Sequence, residues 1–173
     1  MDIFITVLLF LFAILILFWQ SSNLISVYFG SPYVSAKTNL VKKALELAGV
    51  KPNENFYELG SGSGQVLIAA QHLGANCTGI EISPIYFFWS RLRTIFNKKI
   101  QIKCVNIFDY DLKNADVIYV YLLPNLLEKL APKFKRELHK GVRIVSIGFE
   151  IKGLNLDQKI LINKSSIYLY KIN

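Results

Sequence analysis

The sequence predicts an α/β fold: a doubly wound, mostly parallel seven-strand sheet with an antiparallel last strand, preceded by one apolar N-terminal helix. Three observations point there. Short apolar strand-like runs alternate with helical stripes beyond residue 36. The tail QKILIN, KSS, IYLYK reads as a closing hairpin. Residues 3 to 19 form an uncharged apolar run in which Thr6 is the sole polar side chain.

That run, IFITVLLFLFAILILFW, would be about 25 Å long as a helix, near the lower limit for crossing a hydrocarbon core of about 30 Å. Trp19, Tyr28 and Phe29 suit an interfacial aromatic belt. The rival is a cleaved signal peptide. However, the chain opens Met-Asp with no Lys or Arg ahead of the run, and the run exceeds the usual apolar region of about 7–15 residues. The expected organisation is a membrane anchor and interfacial linker over 1–29 and one globular domain over 30–173. Lys37, Lys42 and Lys43 follow the span and no basic side chain precedes it, so the chain is expected to be a single-pass membrane protein with its domain on the cytoplasmic side.

Segment 36–48, AKTNLVKKALELA, places Leu40, Ala44 and Leu47 with Val41, Leu45 and Ala48 on one stripe, and Gly49 stops the helix. It is expected to cover the sheet edge before the first strand. Strands are expected at 55–59, 77–82, 100–105, 117–121 and 142–147. Helices are expected at 65–73, 84–97 and 124–139, the last with a break at Pro132. The short link after the fifth strand leaves no room for a crossover helix.

The net charge of +8 comes from 20 basic and 12 acidic residues, every basic one beyond residue 36. On a tethered domain an anionic bilayer is a nearer partner than nucleic acid, although a merely lysine-rich surface explains the charge equally well. No nucleic-acid partner is inferred. Cys77 and Cys104 fall inside expected strands as possible sheet neighbours and read as buried thiols of a reducing compartment rather than a disulfide. His72 and His139 are isolated, and no metal site is expected.

The chemistry concentrates in residues 56–70, FYELGSGSGQVLIAA. A dinucleotide fingerprint needs GxGxxG, but here the third glycine falls one place early, at Gly64. A Walker loop needs GKS or GKT, and the chain has neither. Glu58 at the strand tip would repel a pyrophosphate and attract an ammonium group. S-adenosylmethionine carries an ammonium, a carboxylate, a sulfonium and a ribose, and no phosphate. Gly60, Ser61, Gly62 and Gly64 would let backbone lie close to it, and the helix start near Gln65 would favour its carboxylate. A second acid, Glu81, ends the next strand, NCTGIE, where a carboxylate can accept both ribose hydroxyls. A plain tight turn is the alternative for the glycines alone.

Asn106, just past the third strand, is on the correct edge to hydrogen-bond the adenine amine, whereas Asp109 and Asp111 read as loop acids as readily as contacts. Asp116 begins the fourth strand at the opposite edge and reads as a capping acid. Tyr121, Pro124 and Asn125 end the fourth strand beside the first, where a transferable methyl should point. Tyr33 is either a lid over the cofactor or an interfacial tyrosine.

The stretches SPYV, YELGSGSGQ, GIEISP, FWSRLR, NIFDYDL, ADVIYVYLLP and RELHKGVRIVS resemble those of the membrane-anchored, seven-strand (class I, Rossmann-like) methyltransferases. That group includes the lysine methyltransferases of the ATP synthase c-ring protein and of the adenine nucleotide translocase. The likeness spans residues 30 to about 150. It implies that Glu58, Gly60, Gly62, Gly64 and Glu81 bind S-adenosylmethionine with Asn106 near adenine, and that the acceptor is a lysine on a membrane protein. Ser63 stands where relatives usually carry Asp. The alternatives are a methyltransferase for a lipid, quinone or other small acceptor, and a non-catalytic cofactor-binding membrane protein.

Overall fold

The computed structural model describes residues 3–28 and 36–173, so Phe29 and Tyr33 lie outside the described residues. The elements run α1 (Ile3–Tyr28), α2 (Thr38–Ala48), β1 (Asn55–Leu59), α3 (Gln65–His72), β2 (Asn76–Glu81), α4 (Pro84–Thr94), β3 (Ile100–Cys104), β4 (Val117–Val120), α5 (Pro124–Glu137), β5 (Arg143–Ile147), β6 (Leu156–Ile162) and β7 (Ser165–Lys171). The sheet order is β3-β2-β1-β4-β5-β7-β6. The first five strands are parallel, and β7 runs antiparallel to both β5 and β6. Strand order reverses between β1 and β4, which opens a crevice outside their carboxyl ends.

The strands of the central group are largely apolar because both sheet faces are covered. One face packs Phe56, Val117, Tyr119 and Val145 against Leu40, Val41 and Leu45 of α2 and Val66 and Leu67 of α3. The other packs Leu59, Ile118, Val120 and Ile144 against Leu126, Leu127, Leu130 and Phe134 of α5. Where a fully wound sheet would carry further helices, loop residues Phe108, Tyr110 and Leu112 and later Ile151 fill that face instead.

Three expectations need correction. Helix α2 lies over β5 and β7 and beside α3 rather than at the sheet edge, because β1 is central and the helix reaches across it. Helix α5 runs unbroken through Pro132. The proline removes one intrahelical bond, but the buried stripe of Leu126, Leu127 and Leu130 before it and Phe134 after it holds both halves on the sheet. The cysteines are not a matched buried pair. Cys77 is buried, its thiol pushed up to about 12 chiefly by burial, and it faces Ile100 across the strand pair. Cys104 is exposed, because β3 is the edge strand of the sheet.

Asp116 caps as expected, its Oδ2 accepting the Asn55 N–H at 2.8 Å at the start of β1. Every α1 side chain that is described is exposed. Its stretch Ile3–Ser21 is long and apolar enough to cross a membrane, and α1 touches α4.

Candidate active site

The turn after β1 is built around glycine. Gly60, Gly62 and Gly64 all adopt positive φ, at 82°, 48° and 74°, a region that side chains strain to enter. Space reinforces that requirement at two of them. A Cβ on Gly60 would lie 3.1 Å from Leu122 Cδ2, and one on Gly64 would lie 3.3 Å from Ser90 Cβ. The turn is tied to β2 by the Gly60 and Ser61 N–H groups, which donate to the Ile80 carbonyl at 2.8 and 3.0 Å. Arg93 of α4 clamps it from outside, donating from Nη1 to the Ser63 carbonyl at 2.9 Å.

Glu81 ends β2 with both oxygens engaged. Oε2 accepts the Gly62 N–H at 2.7 Å and Oε1 the Ser83 N–H at 2.8 Å. Burial raises its carboxyl above the ordinary value, and the Ser83 and Gly62 N–H groups oppose that rise. Each oxygen keeps a second lone pair for a hydroxyl donor.

Glu58 sits one strand over. It is buried, and its carboxyl is held well above the ordinary range by burial first and the Glu81 charge second, with the Leu67 N–H opposing. Its register partners are Gly79 on β2 and Tyr119 on β4, so all three positions share one sheet face. Three buried side-chain oxygens there have no hydrogen-bond partner among the described residues: Glu58 Oε2, Ser61 Oγ and Tyr119 Oη. Such atoms are costly unless something donates to or accepts from them. An ammonium donor suits a carboxylate and two hydroxyls, and it would reverse the forces that now raise the Glu58 carboxyl. The residues therefore fit S-adenosylmethionine: acids at two adjacent strand tips, a backbone-lined turn between them, and orphaned acceptors at the deeper acid.

Two contributors escaped the sequence reading. Gly79 supports the turn from below: a Cβ there would meet Leu67 Cδ1 at 2.6 Å and Ser61 Oγ at 2.7 Å. Tyr119 faces Glu58, and burial followed by the Glu58 charge raises its phenol well above the ordinary value. The signal available was a lone glycine inside a strand run, which marks close approach of another chain segment.

The remaining candidates fall on the same carboxyl edge. Asn106 opens the turn after β3, its Oδ1 accepting the Phe108 N–H at 3.0 Å. Tyr121 follows β4 half-buried, and a Cβ on Gly148 would lie 3.4 Å from its ring. Pro124 and Asn125 form the exposed first turn of α5, where Asn125 Oδ1 accepts the Leu126 N–H at 3.0 Å. Glu58, Gly60, Ser61, Gly62, Gly64 and Glu81 thus form one cluster, flanked by Asn106 on one side and Tyr121 on the other. Among the described residues no group of three His, Cys, Asp or Glu is placed to hold a metal ion.

A seven-strand sheet with this turn and these two acids at its switch point defines an S-adenosylmethionine-dependent methyltransferase. Residues 58–158 match the ANTKMT methyltransferase domain, and the chain belongs to that family. It is 32% identical over 155 residues to a protein-lysine N-methyltransferase of Saccharolobus islandicus (strain REY15A), covering 82% of this chain and 93% of that relative. It is 29% identical to the lysine N-methyltransferase of the ATP synthase c-ring protein from Caenorhabditis elegans, covering 82% of this chain and 80% of the relative. A crystal structure of an RNA methyltransferase from Salinibacter ruber in complex with S-adenosyl-L-homocysteine superposes with a TM-score of 0.78 at 29% identity, covering 80% of this chain and 94% of that one.

Proposed function

We propose that the protein is a protein-lysine N-methyltransferase, held at a bilayer by an anchor over residues 1–29 and acting through residues 30–173 on a lysine of a membrane protein. The observation that carries the lysine assignment is the 32% identity to a protein-lysine N-methyltransferase over 82% of the chain. The relative named for the ATP synthase c-ring protein supports a membrane-protein acceptor. The apolar helix α1, followed by Lys37, Lys42 and Lys43, supports a single span with the domain on the cytoplasmic side.

In this reading Glu58, with Ser61 and Tyr119 beside it, receives the cofactor's ammonium group. Glu81 receives the ribose hydroxyls, and the Gly60–Gly64 turn lies along the ligand. Asn106 meets the adenine edge with the lone pair its oxygen retains, and Tyr33 is assigned a closing role from sequence. S-adenosylmethionine supplies an electrophilic methyl on a sulfonium. The protein must deliver a neutral amine in line with it, yet a lysine of ordinary pKa is neutral in only about one molecule in 2,500 at pH 7, a cost of roughly 4.6 kcal/mol. An apolar approach beside a positive sulfonium lowers that pKa without a strong base, and alignment supplies much of the acceleration. Tyr121, Pro124 and Asn125 line the approach, with the Tyr121 hydroxyl orienting the amine.

Incubating the purified chain with methyl-labelled cofactor and a membrane fraction tests this reading. Label in a protein band, recovered as methyl-lysine, is the expected result. Label in extracted lipid would make the acceptor a small molecule, label in RNA would move the protein to a different acceptor class, and cofactor binding without transfer would make it non-catalytic.

A further inference from the structure

Helix α4 is built the wrong way round for a helix that only covers a sheet. Its inward face carries small hydroxyl residues, Ser90 and Thr94, both buried. Each hydroxyl donates to its own helix, Ser90 Oγ to the Phe87 carbonyl at 3.0 Å and Thr94 Oγ1 to the Ser90 carbonyl at 2.8 Å. These small residues let α4 press against Gly64, so the helix is seated on the glycine turn. The large apolar side chains point outward instead: Phe88 is 63% exposed, Trp89 54%, Leu92 64% and, just past the helix, Phe96 97%. With Ile85 and Tyr86, Phe88, Trp89 and Leu92 line a shallow groove of about 520 Å³. Positions 85, 88, 89 and 92 form a single helical stripe, and exposed apolar surface of this extent marks a binding face.

Charge identifies the occupant. From Ile82 to Phe108 the chain carries Arg91, Arg93, Lys98, Lys99 and Lys103 and no acidic residue. Arg91 and Lys98 are exposed beside the apolar stripe. An apolar stripe with a tryptophan, flanked by long basic side chains, is what lies flat at the surface of an anionic membrane, with the basic heads reaching the phosphates. Helix α1, apolar enough to span, touches α4.

We propose that the outward face of α4 docks into the headgroup region of an anionic phospholipid bilayer, as a second membrane contact beside α1. This rests on the reading of α1 as a span. A crossover helix runs roughly antiparallel to its strands, so a flat α4 lays the sheet along the membrane, and the carboxyl edge with Glu58 and Glu81 opens sideways over the lipid surface rather than away from it.

The chain holds two tryptophans, Trp19 and Trp89, so Trp19→Phe leaves Trp89 as the reporter. The full-length variant is reconstituted into phosphatidylcholine vesicles with and without phosphatidylglycerol, and flotation is measured beside fluorescence. Trp89 emission is expected to shift to the blue and to be quenched by lipids brominated near the headgroup, more strongly with phosphatidylglycerol present. Phe88→Asp with Leu92→Asp, both exposed, is expected to abolish the quenching while flotation and circular dichroism stay unchanged. Arg91→Glu with Lys98→Glu should lower the docked fraction in anionic vesicles by about tenfold. A chain that floats with Trp89 still open to acrylamide overturns the α4 contact and leaves the anchor standing, whereas a chain that neither floats nor shows quenching overturns both. Protection from acrylamide without quenching by brominated lipid would mean that a second copy covers the face, and it also overturns the proposal.

Discussion

The Gly62 N–H donates to Glu81 Oε2 at 2.7 Å, so the carboxylate assigned to the ribose also fixes the glycine turn. Glu81→Ala is expected to abolish cofactor binding and to lower stability by about 1–3 kcal/mol, because the Gly62 and Ser83 N–H groups lose their buried acceptor. Calorimetric titration and denaturant unfolding check the two effects separately. Unchanged affinity would refute the ribose role even if stability fell.

Glu58 makes the cofactor-free protein sensitive to alkali. Its carboxyl is raised in the folded state above the ordinary 4.5 by burial and by the Glu81 charge, so between those values the native state binds more protons than the unfolded chain. The associated stability is fully present below pH 4.5 and is lost as pH rises through the folded-state pKa, at up to about 1.4 kcal/mol per pH unit. Glu81, also raised, adds in the same sense. Thermal unfolding of the cofactor-free protein should therefore show Tm falling with pH above that point, and Glu58→Gln should flatten the fall. Binding of an ammonium group should ionise Glu58, so calorimetry in buffers of different ionisation enthalpy should read proton release.

Tyr119 offers a test with opposite signs. Its hydroxyl is buried without a partner among the described residues, so Tyr119→Phe should stabilise the cofactor-free protein by about 1–3 kcal/mol. Cofactor affinity should fall, because an acceptor beside Glu58 is gone. Unfolding midpoints with and without S-adenosylmethionine would show the crossover, and a variant that gains in both states would remove Tyr119 from the site.

Gly79→Ala probes the floor of the turn. The added methyl would sit 2.6 Å from Leu67 Cδ1 and 2.8 Å from Ser61 Cβ. Overpacking of this kind costs about 1–3 kcal/mol, and the displaced Ser61 should weaken cofactor binding in parallel. A variant with wild-type urea midpoint and affinity would contradict the packing described.

Much of this was legible from sequence. The five parallel strands fall within a residue or two of their expected bounds, because each is a short apolar run bracketed by polar or glycine residues. The edge carrying the site followed from strand order alone. Relationships across strands were not legible: the facing of Glu58 and Tyr119 depends on the β1–β4 register, which no local pattern records. The exposure of Cys104 depends on β3 being an edge strand. In α4, the stripe through Phe88, Trp89 and Leu92 has the spacing of a core face, and only its placement with Ser90 and Thr94 inward shows that it is not one.

The connections at the carboxyl edge are short: residues 60–64 after β1, 82–83 after β2 and 121–123 after β4. Loops of this size supply little surface for gripping a folded acceptor. For an enzyme confined to a membrane, confinement itself raises the encounter frequency with co-resident proteins. Selectivity would then come largely from sharing a compartment and from which side chains protrude at the right height above the lipid, so moving the catalytic unit to another membrane should change its repertoire of targets without any change in its cleft.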